Sequence, residues 1–207
     1  MLWFTSDTHY GHTNIINYTA RPYRTPDGQP DVHAMNIDLV NRYNTVVTPT
    51  DTVWLLGDIA LGHLDDTLGW LARCHGTKHL LVGNHDKPFR SINKPDKHAN
   101  DTAVYMTHAD LATVTTGHRR LTLSDGHTVT ICHFPHRGDS HDTDRFTSHR
   151  PPNDGWLLCG HVHEKWRQHG TQINVGVDAW GGYPVNEQSI SALINAGPAE
   201  REPLPWL

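Results

Sequence analysis

Short apolar runs separated by polar, glycine-containing stretches dominate this chain. The runs Leu2–Thr5, Thr52–Leu56, His79–Val82, Thr128–Cys132, Trp156–Cys159 and Gln172–Val175 are mostly apolar throughout rather than alternating. That pattern fits strands covered on both faces. Ser189–Ile194 is a further strand candidate. Between the first two runs, Met35, Leu39, Tyr43 and Val46 recur at three- and four-residue steps. This spacing predicts a helix over His33–Val46 with Asp31 as N-cap. Leu64, Leu68 and Leu71 predict a second helix around Asp66–Cys74, capped by Asp65 or Asp66. Leu121–Cys132 reads as a hairpin, because LTL and TVTIC flank the Asp125-Gly126 pair that suits a tight turn. The order begins β-α-β-α-β and then turns mostly β, which predicts a layered α/β sandwich with helices outside mixed sheets. Two stretches, Lys87–Asn100 and Pro135–Asp154, carry no periodicity. A structureless loop of that length in a compact domain is uncommon and usually functional or mobile.

The 207 residues suit a single domain over 1–196, followed by an extended, proline-bearing tail at 197–207. No run approaches the roughly 18–20 apolar residues of a bilayer span. The N-terminus lacks the basic and apolar regions of a secretory signal. Cys74, Cys132 and Cys159 are odd in number and widely spaced, so no disulfide framework is expected and the cytoplasm is the default compartment. The net charge of −5 argues against membrane association and against strong binding to duplex nucleic acid. It leaves room for a small phosphate-bearing substrate. The 18 histidines match the 17 lysines and arginines in number, and imidazole is the commonest protein metal ligand. Composition thus points to metal without locating it.

The strand ends locate it. The first run leads into Ser6-Asp7-Thr8-His9, the second into Gly57-Asp58 and the third into Gly83-Asn84-His85-Asp86. The fourth leads into His133 and the fifth into Gly160-His161-Val162-His163. Turn formation explains Asn and Asp in such places, but not the imidazoles. In open α/β sheets the carboxyl edge is where ligands bind. A set of imidazole, carboxylate and amide without thiolate suits Mn²⁺, Fe, Ni²⁺ or Zn²⁺.

In order and spacing, DTH, GD, GNHD, His133 and GHVH resemble the blocks D-x-H, G-D, G-N-H-[DE], H and G-H-x-H of the calcineurin-like metallophosphoesterase superfamily. The resemblance spans about residues 3–180, and the flanking SDTHYGHTNII and NVGVDAW look like a compact branch found in bacteria and phages. It implies a four-layer α/β/β/α sandwich of two mixed sheets. It also implies two divalent ions, Mn²⁺ foremost, one held by Asp7, His9 and His163 and the other by Asn84, His133 and His161, with Asp58 bridging. His85 becomes a non-ligand that stabilises charge and protonates the leaving oxygen, with Asp86 orienting its imidazole. His12, Arg21 and Arg137 are candidate substrate contacts beside Arg145, the alternatives being second-shell or surface histidine and ordinary surface arginine. Trp180 and Tyr183 either stack a base or pack the core. Cys132 and Cys159 read as buried packing residues.

The second block, GDIALG, lacks the Asp-Arg of the protein-phosphatase form G-D-x-x-D-R-G, and Leu61 stands where many members carry Asn or Asp. The chain also has no room for the capping domain of the superfamily's DNA-repair nucleases. The expected function is therefore hydrolysis of small, cyclic or short nucleotide phosphodiesters, by in-line attack of a metal-held hydroxide with His85 assisting. The alternatives are a phosphomonoesterase, a single-strand nuclease and a non-catalytic metal-binding or nucleotide-binding scaffold.

Overall fold

A computed structural model describes residues 1–206. In chain order the elements are β1 (Leu2–Thr5), α1 (Ile15–Tyr18), α2 (Val32–Val46), β2 (Thr52–Leu55), α3 (Leu64–Ala72), β3 (Thr77–Leu81), α4 (Lys87–Arg90) and α5 (Pro95–His108). There follow β4 (Thr113–Thr115), β5 (His118–Thr122), β6 (Thr128–Cys132), β7 (Trp156–Cys159), β8 (Gln168–Gly170), β9 (Gln172–Asn174), β10 (Val185–Asn186), α6 (Glu187–Ala196) and β11 (Ala199–Arg201). The strands form two mixed sheets. One has the order β10-β1-β2-β3-β4 and the other β11-β8-β9-β7-β6-β5. The pairs β1–β2, β2–β3 and β3–β4 are parallel, as are β6–β7 and β7–β9, so these strands deliver their carboxyl ends to a common edge.

Side-chain alternation along each strand separates the layers. Phe4, Leu81, Ile131, Leu158 and Ile173 meet between the sheets. Trp3, Val53, Leu55 and Leu80 point the other way, onto Met35, Leu39 and Tyr43 of α2, Leu68 and Leu71 of α3, and Tyr105 of α5. On the outer face of the second sheet, Cys132, Leu157 and Cys159 pack with Phe134, with Phe89, Phe146 and Trp166 against them. The two cysteines are thus packing residues. The result is the expected sandwich of two mixed sheets flanked by helices.

Asp31 does cap α2, accepting the Ala34 amide at 2.9 Å. Three other expectations give way. Ser189–Ile194 is helical rather than extended: Asn186 caps α6 through the Ser189 amide, and Ile190 and Ile194 share the buried face. The N-cap position of α3 is His63, not Asp65 or Asp66, which lie in its first turn. Within Lys87–Asn100 the chain forms α4 and starts α5, each with proline in its first turn, where no amide is needed. Their periodicity is faint because α5 buries little beyond Asp101 and Tyr105. Past residue 196, β11 pairs antiparallel with β8, and Trp206 stands edge-on to Tyr23. Leu207 lies outside the described residues.

Candidate metal centre

Asp7, His9, Asp58, His161 and His163 all have left-handed backbone, and they make up five of the eight such non-glycine residues described. Such torsions cost about 1–2 kcal/mol each and cluster at functional sites. Here they turn the chain sharply after β1, β2 and β7, so that side chains fold back over the strand ends. The turns interlock through Asp7 N–H to the Gly57 carbonyl at 3.0 Å and His9 N–H to the Asp58 carbonyl at 3.1 Å. Two glycines permit the close approach. A Cβ on Gly83 would lie 2.3 Å from Asp58 Oδ1, and one on Gly160 would lie 2.0 Å from Ser6 Oγ and 2.4 Å from Asp7 Oδ2.

The turns assemble two groups of potential ligands, Asp7–His9–His163 and Asp58–His133–His161, each with its donor atoms within 4.8 Å of one another. Asp58 Oδ2 joins them, lying 3.9 Å from His9 Nε2 and 3.4 Å from His133 Nε2. Asn84 Oδ1 sits 3.2 Å from His133 Nε2, on the second group's side. The structure thus brings all seven candidate residues to one place, with Asp58 between the two groups and Asn84 beside the second.

The chemistry of these donors fits cations. Asp7 Oδ1 and both ring nitrogens of His9 are buried without a hydrogen-bond partner. Orphaned polar atoms at that depth are rare in a finished fold and ask for an ion or water. Burial lowers the pKa of His9 far below the ordinary range, and burial followed by nearby His133 lowers that of His161 to about 4. Both are thus neutral imidazoles, the form that binds metal. Burial opposes charge on Asp58, but His133, His9 and His85 together outweigh it and hold its carboxyl well below the usual carboxylate range. Two divalent cations would be matched by this donor set.

His85 stands at the rim, half-buried, its ring 5.4 Å from that of His9. Its expected partner is not Asp86. The Asp86 carboxylate is fully buried and accepts the amides of Gly83 at 2.8 Å, Asp58 at 2.9 Å and Ile59 at 3.2 Å, which clamps two ligand-bearing turns together. Arg90 meets His85 instead, with Nη2 3.2 Å from Nδ1. A guanidinium only donates, so the neutral imidazole keeps its proton on Nε2.

Beside His85 opens a cavity of about 370 Å³, lined among others by His9, His12, Ile15, Tyr18, Lys165 and His163. His12 therefore lines this cavity. Arg21 does not. It is 1% exposed, with its guanidinium divided between Asp178 (2.8 Å at both oxygens) and the carbonyls of Asp7 and Thr8. Arg137 is exposed outside that cavity, and Arg145 is engaged by Asp139. Trp180 donates to the Asn174 carbonyl, while Tyr183 stacks on Arg42, so neither ring lines the cavity.

Two buried carboxylates escaped sequence reasoning. Asp178 Oδ2 lies 3.0 Å from His163 Nδ1, and Asp139 Oδ2 lies 3.2 Å from His161 Nε2, off the line of a hydrogen bond. Burial resists charge on both, but Arg21 holds the Asp178 pKa near 2 and Arg145 holds that of Asp139 lower still. The NVGVDAW string, quoted only as flanking text, contained Asp178. Nothing in the spacing of the PHRGD loop marked Asp139.

Fold and site together define a mixed α/β sandwich protein with two adjoining candidate metal sites at its strand ends. No model of a known family matches the chain. It belongs to the family of the gene 66 proteins of mycobacteriophages: the phage L5 member is 36% identical over 205 residues, covering 93% of each chain. The phage D29 member is 35% identical over 86% of this chain and 88% of its own. An uncharacterized protein of Methanocaldococcus jannaschii is 27% identical over 97% of this chain and 94% of its own. Among solved structures, a protein of unknown function from Aquifex aeolicus matches 93% of this chain and 98% of its own, with a TM-score of 0.66 and 25% identity. No helix among the described residues is long and apolar enough to cross a membrane.

Proposed function

We propose that the chain is a two-metal phosphodiesterase of the calcineurin-like metallophosphoesterase type, acting on small nucleotide diesters. The observation that carries this reading is the pair of ligand groups with orphaned, buried donor atoms at one strand edge, next to a non-ligand imidazole. When bound, two divalent ions supply Lewis-acid activation of water and neutralise charge on the phosphoryl oxygens. The protein's own part is positioning and proton transfer. His85, with Nδ1 facing Arg90, presents an Nε2 proton to the departing oxygen. His12 stands across His9 from that position, with ring centroids 5.4 Å apart, and supplies a second polar contact to the phosphate.

Cavity size supports a small substrate. A volume of about 370 Å³ is at the lower end for small-molecule pockets and suits one nucleoside-sized substituent. Ile15 and Tyr18 form one apolar wall, and Val162 contributes to the lining with Lys165. Nothing in this lining is a basic track for a polymer.

The test compares hydrolysis of bis-p-nitrophenyl phosphate and p-nitrophenyl phosphate by chelator-stripped protein resupplied with Mn²⁺, Ni²⁺, Zn²⁺ or Mg²⁺. Metal-dependent turnover mainly of the diester is expected, and cyclic nucleotides are the next substrates to try. Preference for the monoester would make the protein a phosphatase. Two bound ions without turnover of either ester or of any cyclic nucleotide would leave a metal-binding scaffold.

A further inference from the structure

The aperiodic stretch between β6 and β7 is a built structure. Arg150 gathers it from within, donating to the carbonyls of His136 at 2.9 Å, Gly138 at 3.3 Å and Arg145 at 3.2 Å, and pairing with Asp144. Asp139 is folded into its centre at 3% exposure. Its carboxylate accepts the backbone amides of His141 at 3.0 Å and Arg145 at 2.9 Å, and the Arg145 guanidinium through Nη2 at 2.7 Å and Nε at 3.2 Å. Phe146, in left-handed backbone, sets its ring 5.6 Å from that of His161, and Phe134 stands 5.3 Å from the same imidazole. The segment thus covers His161 with two aromatic rings and points one buried carboxylate at its Nε2.

The same arrangement occurs on the other half of the site. There His163 Nδ1 meets Asp178, which Arg21 clamps. Each imidazole of the Gly-His-x-His turn is therefore backed by a carboxylate, and each carboxylate by an arginine. A carboxylate behind a metal-binding imidazole fixes the ring and raises its basicity, and its loss typically costs 10–100-fold in metal affinity.

We propose that residues 138–150 form an arm of the second metal site, in which Asp139, clamped by Arg145, is a positioning residue that turns His161 to present Nδ1 to the ion. The assignment rests on the two-metal reading of the site. It gives the loop a function separate from substrate contact and makes the occupancy of the second site depend on loop order.

The experiment is Co²⁺ and Mn²⁺ titration of stripped protein by calorimetry, with the Co²⁺ d–d absorption as a second readout. Wild-type protein is expected to take two equivalents. D139N should bind the first as wild type and the second 10–100-fold more weakly, and R145K should move the same way by less. In an H161A background D139N should add no further loss, because Asp139 acts through that imidazole. D142N, in the exposed part of the same segment, controls for lost charge and should bind both ions as wild type. Urea unfolding of each stripped variant checks that it is folded, and R145K carries the test where D139N is not. Two equivalents bound by D139N as tightly as by wild type would overturn the proposal alone, as would a full D139N effect without His161. A wild-type protein that takes up fewer than two ions would overturn the two-metal reading with it.

Discussion

Arg21 offers a sharp test, because the two roles available to it predict opposite results. If it contacted substrate, R21M would raise KM and leave folding within about 0.5 kcal/mol of wild type, as most exposed substitutions do. The structure instead buries both partners of the Arg21–Asp178 pair completely. Removing one partner of such a pair leaves an uncompensated buried charge and costs about 3–5 kcal/mol. Asp178 keeps one contact, to His163, while the carbonyls of Asp7 and Thr8 lose their donor. These two effects oppose each other, so the lower half of that range, about 3–4 kcal/mol, is the expected loss. With a urea m-value of about 2 kcal/mol per molar, the midpoint should fall by about 1.5–2 M. The assay is urea unfolding of chelated protein followed by tryptophan fluorescence. The double variant R21M/D178L removes both charges and should be less destabilised than the sum of its singles by at least about 1.5 kcal/mol. A midpoint within about 0.3 M of wild type, or additive singles, would refute the reasoning and return Arg21 to the surface of the problem.

Three further outcomes rest on the same packing. H85N should lower kcat about 10²–10⁴-fold with both ions retained, as measured by turnover and by metal analysis of the same preparation; loss of an ion would make His85 a ligand instead. G160A should destabilise the stripped protein by about 1–3 kcal/mol and weaken binding at the first site, since its Cβ would fall 2.0 Å from Ser6 Oγ and 2.4 Å from Asp7 Oδ2. Acid should expose the Asp178 pair: its pKa falls from 3.8 to about 2 in the fold, with burial opposing and Arg21 prevailing. A depressed carboxyl stabilises the native state above its unfolded pKa and loses that contribution as pH drops towards the folded value, here about 2 kcal/mol between roughly pH 4 and 2. Stripped wild type should therefore lose more stability than R21M/D178L over that window, and parallel curves would contradict the assignment.

The site was legible because its ligands follow strands in short sequence blocks, and apolar runs that end at one sheet edge bring those blocks together. Asp7, His9, Asp58, Asn84, His133, His161 and His163 could each be numbered from the chain alone. What the sequence hid were the groups behind them. Asp139 reaches His161 from a loop 22 positions upstream, and Arg21 reaches Asp178 across 157 positions. No local period records such pairs. Asp86 was misread for a related reason: adjacency suggested His85, while the turn directs its carboxylate onto three backbone amides. The helix α6 was hidden differently, because Ile-Ser-Ala-Leu-Ile satisfies a short buried strand as well as a helical face.

Those hidden groups share one mechanical task. Five left-handed candidate ligands at about 1–2 kcal/mol each amount to roughly 5–10 kcal/mol of backbone strain, comparable with the whole stability of an ordinary domain. Such turns persist only where their surroundings over-determine them. Arg21 ties down the carbonyls of Asp7 and Thr8, Asp86 holds the amides of Asp58 and Gly83, and Asp7 itself accepts the amide of His161 at 3.0 Å. Each clamp acts on the backbone at or next to a candidate ligand. The orphaned atoms of Asp7 and His9 are therefore held in position by bonds made around them. The two halves still differ in access. His9 and His163 line the open cavity, whereas His161 lies beneath Phe134 and Phe146. The cavity opens onto the first half, and the second half is the enclosed one.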